Sequence, residues 1–96
     1  MNYDLHSNGY SVNCRMMGEL MRENHIACAC LLFFCDNMDE NNTFACNDDD
    51  LRKECSMNPK TIAKTIQLLI DRNLVTVHEA DGLKVYTVNR NFAGLP

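Results

Sequence analysis

Residues 47–66 read NDDDLRKECSMNPKTIAKTI, and the fold turns on how this stretch divides. Asn47 ahead of Asp48, Asp49 and Asp50 is a helix start. An asparagine side chain accepts from the free backbone N–H groups there, and carboxylates sit well beside the positive end of a helix dipole. Leu51 and Cys55, four apart, give that helix an apolar side. Ser56 and Met57 read as a turn. Asn58 is a second cap, and Pro59 takes the first helical position, where its missing N–H breaks no bond. From Pro59 to about Arg72 the periodicity is the clearest in the chain. Ile62, Ile66 and Leu69 make one face, and Lys60, Lys64, Gln67 and Asp71 lie away from it. Two helices joined by a tight turn are therefore expected between Asn47 and Arg72.

Downstream, Asn73 is suited to the left-handed residue that closes a helix. Leu74–Ala80 and Leu83–Asn89 are rich in β-branched and aromatic residues and flank Asp81-Gly82, a strong two-residue hairpin signal. Upstream, Thr43–Cys46 is too short for a helix and fits a small strand, preceded by a polar loop from Asp36 to Asn42. Asn24 caps a helix from His25 to about Met38 whose stretch Ile26–Cys35 is apolar on every side. Such a helix needs cover all round, so part of it is expected to meet a second subunit. Before it, Met16, Met17, Leu20 and Met21 mark the core face of an amphipathic helix that starts at Asn13 and ends near Asn24. Residues 1–12 read as an N-terminal arm, 13–90 as the folded domain and 91–96 as a flexible tail.

The chain has 96 residues, 46% of them hydrophobic and 23% charged, with net charge −4. That is one domain, and a chain of this size buries roughly 65% of its unfolded surface. The longest apolar run, Ile26–Cys35, is half of the about 20 residues a membrane span needs, so no membrane association is expected. The opening Met1–His6 has no basic segment followed by an apolar one, which points to a cytoplasmic protein. Cys28, Cys30 and Cys35 lie in the most apolar segment, where cysteine behaves as a small hydrophobe, so reduced thiols are expected. Cys28 and Cys30 point different ways on a helix, and His6, His25 and His78 are scattered, so neither a metal site nor a cofactor is expected. A glycine-rich phosphate loop, a paired-histidine motif and a nucleophile elbow are all lacking, so no enzymatic activity is expected either.

The order helix, helix, short strand, helix, turn, helix, hairpin is the layout of a winged helix, an α+β fold that is mainly α. Residues 47–66, with Asn73-Leu74-Val75 leading into the hairpin, resemble the helix–turn–helix of bacterial winged-helix proteins. Leu31-Leu32-Phe33-Phe34, the segment 36–43 and Val85–Asn89 resemble plasmid replication proteins of the RepL type. The resemblance implies double-stranded DNA as the partner, read by the second helix of the motif in plasmid or phage replication or in transcription regulation. Winged-helix proteins present the amino end and one polar face of that helix to the major groove. Lys60, Thr61, Lys64, Thr65 and Gln67 are then the base- and phosphate-reaching candidates, with Lys84 and Arg90 as backbone contacts from the hairpin. A homodimer is expected.

Charge opposes this reading. Residues 1–46 carry six acids and two bases, and Asn47–Arg90 seven of each. DNA binding draws on phosphate neutralisation, yet three aspartates stand where the motif's first helix would meet the backbone. A second class therefore stands beside the first: an acidic interaction module, such as a nucleic-acid mimic presenting Asp39, Glu40, Asp48, Asp49 and Asp50 to a protein. Three further departures bear on the motif. Arg52 replaces the usual small residue between the helices, Ser56 stands where glycine is common, and Leu68 and Ile70 are apolar where polar residues are usual. The placement of Lys60, Lys64, Arg72 and Lys84 relative to the aspartates discriminates the two classes.

Overall fold

A computed structural model describes residues 10–94 of the chain. Most of the expected N-terminal arm (1–9) and the last two residues of the expected tail (95–96) lie outside the described residues. The architecture is α+β and mainly helical. In chain order it runs β1 (Ser11–Val12), α1 (Cys14–Glu23), α2 (His25–Asn37), β2 (Thr43–Cys46), α3 (Asp48–Cys55), α4 (Pro59–Asp71), β3 (Val75–Ala80), β4 (Leu83–Val88) and β5 (Ala93–Gly94).

All four helices among the described residues begin at an asparagine cap. Asn13, Asn24, Asn47 and Asn58 accept from the backbone N–H of Met16, Ala27, Asp50 and Thr61 respectively. At α3 the cap is reciprocal, because the Asp50 carboxylate also accepts from the Asn47 N–H, at 3.1 Å. This capping box satisfies two free donors at once. Helix α4 closes with Asn73 at φ 59°, as its sequence position predicts, and the Leu74 N–H donates to the Leu69 carbonyl at 2.9 Å. The hairpin turn is formed as expected, with Asp81 and Gly82 both at positive φ.

Helix α2 is the axis of the molecule and packs against α1, α3, α4 and β4. Its inward residues, Ala27, Cys28, Cys30, Leu31, Phe34 and Cys35, are buried. Strands β2, β4 and β3 form a three-stranded antiparallel sheet in that order, with Phe44 opposite Tyr86 and Tyr86 opposite Val77. Tyr86 is wholly buried and its ring stacks on Phe34, centroids 4.3 Å apart. Its hydroxyl has no hydrogen-bond partner among the described residues. A buried hydroxyl without a partner costs free energy. Tyr86→Phe is therefore expected to stabilise the chain by about 1 kcal/mol, raising the midpoint of a thermal melt by about 4–8 °C. A lower midpoint would mean that the hydroxyl is satisfied.

Three expectations are corrected. The segment after Arg90 is not a loose tail: Phe92 and Ala93 are buried, β5 pairs antiparallel with β1, and the Asn13 N–H donates to the Phe92 carbonyl. The domain boundary at Arg90 thus moves to at least Gly94. The polar loop expected from Asp36 begins only after Asn37, where α2 ends, and its last residue, Asn42, is fully buried. Met21, read as part of the core stripe of α1, is 50% exposed, while Leu20 is buried and Met16 and Met17 are half-buried.

Candidate nucleic-acid interface

The α3–turn–α4 unit is held by a few inward residues. Leu51, Met57, Ile62 and Leu69 are buried, and Cys55 is partly so. Ser56 ends α3 in the left-handed conformation, φ 53° and ψ 42°, which accounts for the glycine usual at such a position. Arg52 does not hold the helices apart; it is exposed and its guanidinium pairs with Asp49 at 3.4 Å. Between the two helices lies an open groove of about 440 Å³, with Arg52 and Lys53 on one side and Asn58 and Pro59 on the other. The adjacent bases Arg52-Lys53, in the last turn of α3, are residues of this site that the sequence reading did not single out for it. The signal was a doublet of bases directly ahead of the turn.

On α4 the exposed residues are Pro59, Lys60, Ala63, Lys64, Gln67, Ile70 and Asp71. Lys60, Lys64 and Gln67 fall at i, i+4 and i+7 and so share one face. The Gln67 amide donates to Asp71 at 2.8 Å, which orients it and leaves its oxygen and a second N–H for other partners. Thr61 sits half-buried at the margin of that face, its N–H engaged by the Asn58 cap. Thr65 is a correction. It is 2% exposed, because it lies on the core side with Ile62 and Leu69, and it cannot contact a ligand. Leu68 packs against the core, whereas Ile70 is left 37% exposed.

The hairpin candidates are engaged elsewhere. Lys84 pairs with Asp48 at 3.2 Å, at the start of α3, and Arg90 donates to the Glu40 carbonyl at 3.1 Å. Arg72 is bound to Glu23 of α1. Four of the seven cations between Asn47 and Arg90 are thus tied to a carboxylate or a carbonyl. The other three, Lys53, Lys60 and Lys64, make no ion pair among the described residues, and all belong to α3 and α4. The acids are divided in a complementary way: Asp48 to Lys84, Asp49 to Arg52 and Asp50 to the capping box. Like-charge crowding at the start of α3 is thereby relieved by contacts within the chain.

Burial holds the inward thiols protonated. Cys46 is pushed up to about 11, with Asp50 and Asp48 adding to the burial, and Cys35 up to about 12. Cys30 is raised further, again mainly by burial. A buried protonated thiol is a poor nucleophile, so these cysteines act as packing. Among the described residues, no three His, Cys, Asp or Glu side chains converge as a metal site would require. None of their helices is long and apolar enough to cross a membrane. No protein-family model, curated protein or solved structure matches the chain.

Proposed function

We propose that the chain is a small winged-helix protein that binds double-stranded DNA sequence-specifically, with α4 as the recognition helix. In this reading it serves plasmid or phage replication or transcription regulation, in the cytoplasm and as a homodimer. The supporting observation is the distribution of charge between Asn47 and Arg90: the three cations there with neither an ion pair nor a carbonyl partner among the described residues, Lys53, Lys60 and Lys64, lie on the α3–α4 unit, while Asp48, Asp49 and Asp50 beside it are engaged within the chain. Lys53 lines the groove, Lys60 follows Pro59 of its opposite side, and Lys64 lies one turn further along α4, three point charges for phosphates. Gln67, one turn further, has the amide geometry that reads adenine. A protein partner taken up by the acidic residues needs Asp48, Asp49 and Asp50 as a free row, and each already holds a contact. DNA is therefore retained over the acidic module.

The test is a titration of fluorescent duplex DNA at two salt concentrations. Three phosphates neutralised per copy predict a loss of affinity of about 40-fold between 50 and 200 mM salt for one bound copy. A dimer bound through both copies should lose about the square of that. Absence of binding at the lower salt retires the proposal.

A further inference from the structure

Arg52 is the cation of the α3–α4 groove that phosphate binding does not explain. Its guanidinium lies 3.4 Å from the carboxylate of Asp49, one turn back on α3, and both side chains are exposed. Both line the groove, with Asn58 and Pro59 at the head of α4 on the other side. A phosphate entering beside Arg52 would meet the charge of Asp49 as well. The pair therefore draws an anion far less than Lys53, Lys60 or Lys64, which have no carboxylate partner among the described residues. A neutral hydrogen-bond acceptor meets no such opposition. Asp49 takes one N–H of the guanidinium and leaves the rest of its planar fork of donors. Across the groove the Asn58 side-chain oxygen is engaged by the Thr61 N–H, which leaves its NH2 group to donate. The groove thus offers donors to an uncharged partner, at the amino end of α4, the part of a recognition helix that reaches base edges.

We propose that Arg52, held by Asp49, is a specificity-determining residue that reads a guanine in the major groove at the head of α4. The inference rests on the DNA-binding reading above and adds the base and the side chain that selects it. Guanine shows two acceptors there, N7 and O6, and a guanidinium fork meets both with parallel hydrogen bonds. Adenine places an amino group beside its N7 and cytosine presents an amino group, so each would turn a donor toward the donors of the fork. Thymine has a single acceptor beside a methyl group. Asp49 is the positioning residue. A long arginine side chain loses rotamer freedom when it binds, and a carboxylate that already restrains it reduces that loss. The same role accounts for an arginine where the motif usually carries a small residue: the side chain is directed into the groove and not between the helices.

The test starts from a pool of duplexes with a randomised centre, selected on the full chain at about 50 mM salt. Duplexes carrying each base pair in turn at every selected position then measure the preference. One guanine should be favoured at least about fivefold, the low end of what a bidentate contact supplies. Arg52→Lys keeps the charge and loses the fork, so that preference should fall below about twofold while the salt slope stays the same. Asp49→Asn removes a negative charge from the groove, so affinity for every sequence should rise, yet the guanine preference should fall. A mere phosphate contact would raise affinity and leave the preference alone, and a structural role would move neither. Both positions are exposed, so neither variant disturbs the core. A guanine preference that survives Arg52→Lys or Asp49→Asn, or a selected site with no preferred guanine, overturns the inference and leaves DNA binding standing. Absence of binding to any duplex at that salt overturns both.

Discussion

Replacing Asn42 by alanine is expected to lower the unfolding free energy by about 3 kcal/mol, more than most single substitutions. The side chain is fully buried, and its amide nitrogen donates to the Val88 carbonyl at 3.0 Å and to the Ala93 carbonyl at 2.8 Å. Its backbone carbonyl accepts from the Val88 N–H at 2.9 Å. One residue therefore joins the loop before β2 to the end of β4 and to β5. Removing the amide withdraws two buried donors, each worth about 1 kcal/mol or somewhat more where no water can replace it. Alanine also tolerates the φ of 62° less well than asparagine does, adding some tenths of a kcal/mol or more. For a domain of this size the sum is a fall of about 12–20 °C in the thermal midpoint. Asn42→Asp should be worse still, because it turns a donor toward two carbonyls into a buried carboxylate. Urea unfolding of both variants checks the ranking. A loss of less than about 1 kcal/mol for the alanine variant would show that the carbonyls find other donors.

That residue also shows where sequence reading stops. The helix caps, the proline at the head of α4, the closing Asn73 and the Asp81-Gly82 turn are signals contained within a few residues, and all appear where they were expected. Asn42 sits in a polar run, 36–42, and nothing local distinguishes it from Asn41, which is exposed. Its burial depends on carbonyls 46 and 51 residues away. The tail misled for the same reason: Phe92 and Ala93 are buried against elements that adjoin them only in the fold. Thr65 differs, because its placement was legible. It stands three residues after Ile62 and four before Leu69, on the inward line, and was assigned outward because a hydroxyl was read as a contact group. On α2 the uniform apolarity hid which side faces the core, and only the packing of α3, α4 and β4 separates Leu31 and Phe34 from Ala29 and Leu32. The pairing of Lys84 with Asp48 likewise needed the register that sets Lys84 beside Cys46 and hence beside the start of α3.

Lys60→Ala combined with Lys64→Ala is expected to weaken duplex binding about 100-fold near physiological salt while leaving stability within about 0.5 kcal/mol. The small stability effect follows from position: both side chains are exposed and neither takes part in an ion pair among the described residues. The binding effect follows from charge-assisted contacts to phosphate, at about 1–1.5 kcal/mol for each lysine. The slope of log affinity against log salt should fall by about 2 for each bound copy, since two phosphates are no longer neutralised. Contrasting substitutions separate the roles. Gln67→Ala should alter preference among sequences and leave the salt slope nearly unchanged, because an amide releases no counterion. Lys84→Ala removes a surface ion pair worth about 0–1 kcal/mol and should have little effect on either quantity. Thr65→Val, at a buried site, should change the melting midpoint without changing the slope. If the double lysine variant binds with the parent's salt slope, α4 is not the surface that meets the phosphates, and the recognition role assigned to it falls.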